Sequence, residues 1–291
     1  MASTFIQLLL SGAIAGSVYA LLAIGLVLIH NGTGVVNFGF GDQLMVGVYI
    51  LVFAQQFLGL ALPPAILVAV IVSGLLGLAI QSLVMTPLRN RPVLIPIVAT
   101  IAIGAALREG IRAFMGPNPW PVPFLLSTSP YRIGGISIVP SDLAILGTAV
   151  VIMLCLYVFF EFTKYGQAIL AACANPTGAL IVGIPAGTTT TGIWVLSSML
   201  AAIAGIVIAP LTTLTPDIGL IAIKGFAAAV LGGFASLPGA VVGGILLGII
   251  EALAGYYVSS AMKDIVSYAV LIGVIVLLPS GLFNRVSVRK V

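Results

Sequence analysis

Asn37-Phe38-Gly39-Phe40-Gly41-Asp42 cuts into an apolar sequence that carries no charged residue before Asp42, and Gly232-Gly233-Phe234-Ala235-Ser236-Leu237-Pro238-Gly239 cuts into a second one. Each block interrupts a run long and apolar enough to lie in a bilayer. Non-helical backbone at membrane depth is tolerated only where protein buries it or a water-filled cavity faces it. Paired glycine and proline interruptions in the two halves of a membrane protein point to a transport pathway. The stretches therefore predict an all-α polytopic membrane protein with eight to ten transmembrane or re-entrant helices and Gly-rich helix breaks.

Composition sets the same class. Of 291 residues, 61% are hydrophobic and 6% charged, with a mean hydropathy of +1.29. A soluble domain carries about 25% charged residues, so the surface of this chain must face lipid or partners. Nothing charged lies between Lys164 and Asp217; a span needs about 20 apolar residues, so that gap holds more than one pass or half-pass. No Lys or Arg precedes the first apolar run, so the basic region of a signal peptide is missing and residues 1–29 read as a retained span. Cys155, mid-span, and Cys173, in a loop, give neither a disulfide framework nor a zinc pattern. The net charge of +4 sits beside the spans, where it sets topology rather than binding nucleic acid.

Spans read at about 5–29, 42–59, 63–85, 94–115, 141–161, 190–210, 218–231, 240–259 and 265–279, forming one transmembrane domain over 1–291. Segment 218–231 is short for a crossing, which leaves a re-entrant reading open. Arg89 and Arg91, then Lys164, then Arg285, Arg289 and Lys290 fall on one side, the cytoplasmic one by the positive-inside rule. Arg108, Arg112 and Arg132 oppose that bias, and Glu109 is spaced to pair with Arg112. The N-terminus is then outside. Residues 116–140 form an extracytoplasmic loop: Pro117, Pro119, Pro121, Pro123 and Pro130 forbid a long helix, and Trp120 suits the interface. Tyr131–Ile138 reads as a hairpin turning at Gly134-Gly135, with Ser141-Asp142 capping the next helix. Gly12/Gly16, Ala201/Gly205, Gly239/Gly243 and Gly244/Gly248 follow the small-xxx-small spacing of close helix packing.

Residues 162–189 form a cytoplasmic loop of two short helices. Gly166, Gln167, Ala171 and Ala172 lie in the first. Asn175 is placed to cap the second, with Pro176 at its first position and Gly178 behind it. Gly183 is placed to close it, and Pro185 blocks its continuation. An apolar cytoplasmic patch of this kind marks a protein-binding surface. An interfacial lipid-lying helix carries many more Lys and Arg than Lys164 alone.

Isolated polar residues are read one by one. His30 is the single histidine and reads as an interface residue rather than a metal ligand or catalytic base. Asn37 either satisfies freed backbone groups or caps; Asp42 reads as a cap. Lys224 and Glu251 lie inside apolar segments, where a charge costs about 2.5–3.5 kcal/mol, so they are expected to pair with each other. Asp217, Lys263 and Asp264 lie near loops and read as solvated. Ser236 and Pro238 shape the start of the helix after the second break. The candidate path residues are Asn37, Phe38, Gly39, Phe40, Gly41 and Asp42, with Gly232, Gly233, Ser236, Pro238 and Gly239. The sequence holds no HExxH, GxSxG or GxxxxGK[ST] pattern, so it is expected to be no enzyme and to hydrolyse no ATP itself.

Taken in order, Gly16-Ser17-Val18-Tyr19-Ala20-Leu21, Val36–Asp42, Gly166-Gln167-Ala168, Ala228–Gly233 with Ser236–Gly239, and Leu278-Pro279-Ser280-Gly281-Leu282-Phe283 resemble the branched-chain amino-acid ABC transporter permease family, its LivH-type branch. Ala171-Ala172, Gly178 and Gly183-Ile184-Pro185 resemble the EAA-type coupling segment of importer permeases. The resemblance implies half of a transmembrane pore in a bacterial plasma (inner) membrane, paired with a second homologous permease subunit. It implies two cytoplasmic ATPase subunits that bind ATP and Mg, an extracytoplasmic substrate-binding protein, and no cofactor in this chain. The implied cargo is a branched-chain amino acid or a related small polar solute such as urea, an amide or an organic acid. Where the family has a His-Gly-Glu or similar polar run, this chain has Phe40-Gly41-Asp42, a departure that bears on cargo. The alternative function is an ion-coupled secondary transporter using Glu251; a passive channel would have no use for the coupling-like loop.

Overall fold

The computed structural model describes residues 2–122, 131–133, 136–234, 236–278 and 280–283. Among them, helices dominate in the order read from the sequence. Helix α1 (Ala2–Thr33) is followed by α2 (Phe40–Gln56), then α3 (Leu62–Ile80), which continues through a π-helical turn (Gln81–Met85) into α4 (Thr86–Leu88). Pro87 lacks an N–H and crowds the preceding turn, which accounts for the wider π turn just before it. Helix α5 (Leu94–Met115) leads to two short antiparallel strands, β1 (Tyr131–Ile133) and β2 (Ile136–Ile138). The pairing matches the expected hairpin; its turn, Gly134-Gly135, lies outside the described residues. Then come α6 (Pro140–Phe162), α7 (Lys164–Ala174), α8 (Pro176–Ile181), α9 (Ala186–Ile208), a 3-10 turn (Ile218–Ile221) running into α10 (Ala222–Gly232), α11 (Leu237–Tyr257) and α12 (Lys263–Leu277).

Six of these helical stretches are long and apolar enough to cross a membrane, and Ile218–Gly232 is a shorter apolar one. The predicted cap of α6 differs: Val139, with no side-chain cap bond, precedes Pro140 at the first position, and Ser141 and Asp142 lie inside the first turn.

Helix α1 is the axis of the bundle. Its apolar window is 89% buried, against 17% for α5 and 22% for α6, and it packs on α6, α9, α10 and α11. Its contact with α11 is made by glycine. A side chain at Gly12 or Gly16 would overlap the backbone around Ile245 and Ile249, and one at Gly248 would overlap that of Gly12 and Gly16. Lipid tails are as apolar as leucine, so helix association in a membrane rests on close backbone packing rather than on hydrophobic burial. Gly12/Gly16 of α1 and Gly244/Gly248 of α11 are the two halves of that one contact, while Gly239/Gly243 packs on α10.

Arg89 and Arg91 share a cavity wall with Ala172, Pro176 and Ala179, and Leu170 and Cys173 share another with Ser236 and Pro238. The loop of Arg89 and Arg91 and the loop that Lys164 opens therefore lie together at one end of the bundle, called here the basic end; Arg285, Arg289 and Lys290 lie outside the described residues.

Candidate functional site

The first break is a half-crossing. After α1 ends at Thr33, Gly34 takes a left-handed φ of +71° and the chain turns back into the bundle. Phe38 N–H donates to Thr100 Oγ1 (3.1 Å), and Gly39 lies against the backbone at Thr100 and Gly104 of α5. These positions lie six and ten residues into α5, about 9 and 15 Å from its start at 1.5 Å per residue. Helix α2 thus begins near mid-depth. Its 17 residues span about 26 Å.

A shorter helix meets it there. Gly219, in the 3-10 turn ahead of α10, crosses Gly41 so closely that a side chain on either would overlap the other's backbone. Helix α10 has 11 residues, about 16 Å, short of the roughly 30 Å hydrocarbon layer. The short segment 218–231 is therefore half of a pair whose N-termini meet inside the bundle.

A cavity of about 390 Å³ opens at this crossing. It is lined by Leu26, Asn37, Phe38, Phe40, Gly41 and Asp42, by Ile101, Ala105 and Arg108 of α5, and by Gly219, Leu220, Ala222, Ile223 and Phe226. Asp42 is buried, and its Oδ1 accepts from both Nε and Nη2 of Arg108 at 2.8 Å. Its predicted role as a cap gives way to this ion pair. Arg108 is not among the candidate path residues; its signal in the sequence is an arginine in an apolar span, which needs a partner. Asn37 is 1% exposed, and neither its amide nitrogen nor its oxygen has a hydrogen-bond partner. It neither caps nor satisfies freed backbone through its side chain. The Phe40 ring is buried and seats over Gly25 of α1, so the family departure at this position is taken up inside the fold.

A further cavity of about 500 Å³ lies at the basic end. Asn31 to Val35 form one wall, Gln81, Met85, Arg89 and Arg91 a second, and Ala172, Pro176, Ala179 and Leu180 a third. Residues up to Val35 face this cavity and residues from Asn37 face the other, so the short stretch after α1 stands between them.

The second break is at the basic end and lines neither of these cavities. Gly233 has φ +96°. Gly232 and Gly239 lie backbone to backbone. Ser236 Oγ accepts from Gly239 N–H (3.0 Å) and caps α11, with Pro238 in its first turn. Leu282 N–H and Phe283 N–H donate to the carbonyls of Leu231 and Gly232, so the chain after α12 closes the end of α10. An aromatic row, Phe38–Phe226–Phe234–His30, runs between the two breaks, with ring centroids 5.9, 5.3 and 5.0 Å apart.

Lys224 Nζ lies 2.8 Å from Glu251 Oε1 and 2.8 Å from Asp264 Oδ1. Tyr19 and Ser267 donate to Glu251 Oε2 at 3.0 and 3.2 Å. One carboxylate thereby ties α1, α10, α11 and α12. Asp264, read from sequence as solvated, is the second partner of Lys224, and Asp217 likewise accepts from Arg112 (3.2 Å).

In the loop at the basic end, Thr163 Oγ1 accepts from Gly166 N–H (3.0 Å) and Asn175 Oδ1 from Gly178 N–H (2.9 Å). Gly166 lies against the backbone of Phe159 and Phe160, which lets α7 fold back tightly from α6. Gln167 Nε2 donates to Glu161 O (2.8 Å). Gly183, at φ +86°, ends α8. Ala172 faces the cavity shared with Arg89 and Arg91, while Ala171 and Pro176 are exposed, as are Tyr165, Leu180, Ile181 and Val182. Cys173 packs toward Gly32 of α1, and burial pushes its thiol up to about 11. Among the described residues, no group of three or more metal-ligating side chains occurs.

The family described as branched-chain amino acid transport system, permease component, matches residues 8–275. The chain is similar to the high-affinity branched-chain amino acid transport system permease protein LivH of Escherichia coli, 31% identical over 99% of this chain and 98% of that one. It has the same identity to BraD of Pseudomonas aeruginosa, over 99% and 98%. A probable LivH of Methanocaldococcus jannaschii is 32% identical over 95% and 92%. No solved structure matches.

Proposed function

The chain belongs to the branched-chain amino acid transport permease family, and from that premise we propose how this multi-pass membrane subunit of an ABC importer moves its cargo. The cargo is a branched-chain amino acid. It passes along the two cavities that flank residues 34–39, with the basic end in the cytoplasm. The observation that carries this reading is the crossing, at Gly41 and Gly219 beside a cavity, of the N-terminal ends of α2 and of the short segment that runs into α10. Broken helices meeting at mid-depth are the arrangement by which transporters place a polar site inside a bilayer.

Energy enters through the loop 162–189. The exposed apolar residues Tyr165, Leu180, Ile181 and Val182 dock on cytoplasmic ATPase subunits, which bind ATP and Mg. Helix α7 touches the end of α1 at Cys173 and Gly32. Movement of the loop is thereby transmitted to the stretch between the cavities, which swings to expose them in turn. A second permease subunit covers the open side of the path, and an extracytoplasmic binding protein delivers the cargo.

The test is energy coupling in proteoliposomes holding the assembled complex. Leucine uptake is expected to require ATP. Deleting Gly166–Val182, or the milder Ile181→Asp, is expected to release the ATPases from a bundle that still elutes as a single species. Uptake driven by an ion gradient without ATPases, or ATPases retained by both variants, would overturn the reading.

A further inference from the structure

We propose that Asn37 reads the zwitterionic main chain of the transported amino acid, an inference that rests on the amino-acid reading above. A buried side-chain amide without partners is uncommon, because its desolvation is otherwise uncompensated. Asn37 is such a group, 1% exposed with both amide atoms unpartnered, and it lines the cavity at the helix crossing. A primary amide offers two donors and an acceptor within one group, so it can serve an ammonium and a carboxylate at once.

The surroundings fit the same chemistry. The N-terminal turn of α2 and the N-terminal end of Ile218–Gly232 both reach the cavity, and helix N-termini favour an anion. Arg108 spends Nε and Nη2 on Asp42 and has Nη1 left to donate. The Asp42–Arg108 pair is neutral as a whole but has a negative and a positive end. A zwitterion lying antiparallel to it directs its ammonium toward Asp42 and its carboxylate toward Arg108 and the helix ends. The remaining wall, with Leu26, Ile101, Leu220, Ile223 and Phe226, suits an aliphatic side chain. A ligand with only one of the two charges leaves one end of the pair and half of the amide unanswered.

Two readouts on the purified complex test this. In thermal melts without binding protein, millimolar leucine is expected to raise the midpoint of the wild-type complex. 4-Methylpentanoate and 3-methylbutylamine, each lacking one charge, are expected not to. Asn37→Leu is expected to abolish the leucine shift while leaving the unliganded midpoint unchanged or higher, since it removes an unpaired buried amide. In proteoliposomes with saturated binding protein, Asn37→Leu is expected to lower leucine moved per ATP at least tenfold with ATP hydrolysis within twofold of wild type. Asn37→Ser should recover part of that loss. A lower unliganded midpoint with transport and hydrolysis falling together would mark Asn37 as structural and overturn the proposal. So would an unaltered leucine shift in Asn37→Leu, or equal shifts from the singly charged analogues. A wild-type complex that moves no amino acid would overturn the parent reading, and this one with it.

Discussion

Two glycine-rich interruptions of similar composition do opposite work. At Gly232–Gly239 the break is closed: Ser236 caps α11, Leu282 and Phe283 satisfy the carbonyls ending α10, and Gly232 and Gly239 touch backbone to backbone. At Asn37–Asp42 the break is left open. Its glycines also let two backbones cross, but the crossing joins two helix N-termini, and beside it stand an unpartnered amide and an ion pair facing a cavity. Glycine alone therefore does not mark a transport path. What separates an architectural break from a functional one is whether the polar groups it frees are already satisfied.

Breaking the closed site should have the largest effect. Gly232→Val drives a side chain into the backbone of Gly239, and overpacking of this kind costs about 3 kcal/mol or more where backbone must move. The expected outcome is loss of monodisperse protein in detergent chromatography, against a normal profile for Asn37→Leu. Equal profiles would erase the distinction between the breaks.

The charged knot that ties α1, α10, α11 and α12 sharpens the comparison at intermediate strength. Breaking a buried ion pair by removing one partner costs about 3 kcal/mol, so Lys224→Met and Glu251→Gln should each lower the melting temperature. Exchanging Lys224 and Glu251 should not restore it, because the exchange sets a carboxylate at position 224 beside Asp264. Adding Asp264→Asn to the exchange should recover most of the loss. Full recovery by the simple exchange would mean that Asp264 contributes nothing to the knot.

The smallest effect concerns Cys173, between the coupling loop and α1. With its thiol held near 11, the reactive thiolate is a trace species at pH 7.5. Maleimide labelling of Cys173, followed by mass spectrometry, should be slow there and accelerate about tenfold per pH unit toward 10. Fast labelling at neutral pH would show that α7 does not rest on α1 as described.

Much of this was legible in the residues. The nine apolar segments correspond to the observed helices because hydropathy over a span is a local property. Asn175, Pro176, Gly183, Ser236 and Pro238 act where the sequence placed them because capping is decided within four residues. Lys224 and Glu251 were paired on cost alone, since neither charge is tolerable in an apolar segment without a partner. The failures have a common cause. Asp42 looked like a cap because its partner, Arg108, lies 66 residues away. Phe40 borders the cavity as expected, but nothing local reveals that Gly25 receives its ring.

The sequence by itself determined that this chain lives in a membrane, that it holds eight to ten spanning or re-entrant segments, and where each lies to within a few residues. Only the tertiary structure decided that α1 runs through the centre, that the N-terminal ends of α2 and of the α10 segment meet at Gly41 and Gly219, and which break leaves a polar side chain unpartnered beside a cavity. The reason is physical. In a chain this apolar, every segment is equally at home in lipid, so hydrophobicity cannot choose which one is buried. That choice falls to close backbone contact between glycines and to the pairing of a few charges, and both are made between residues far apart in sequence.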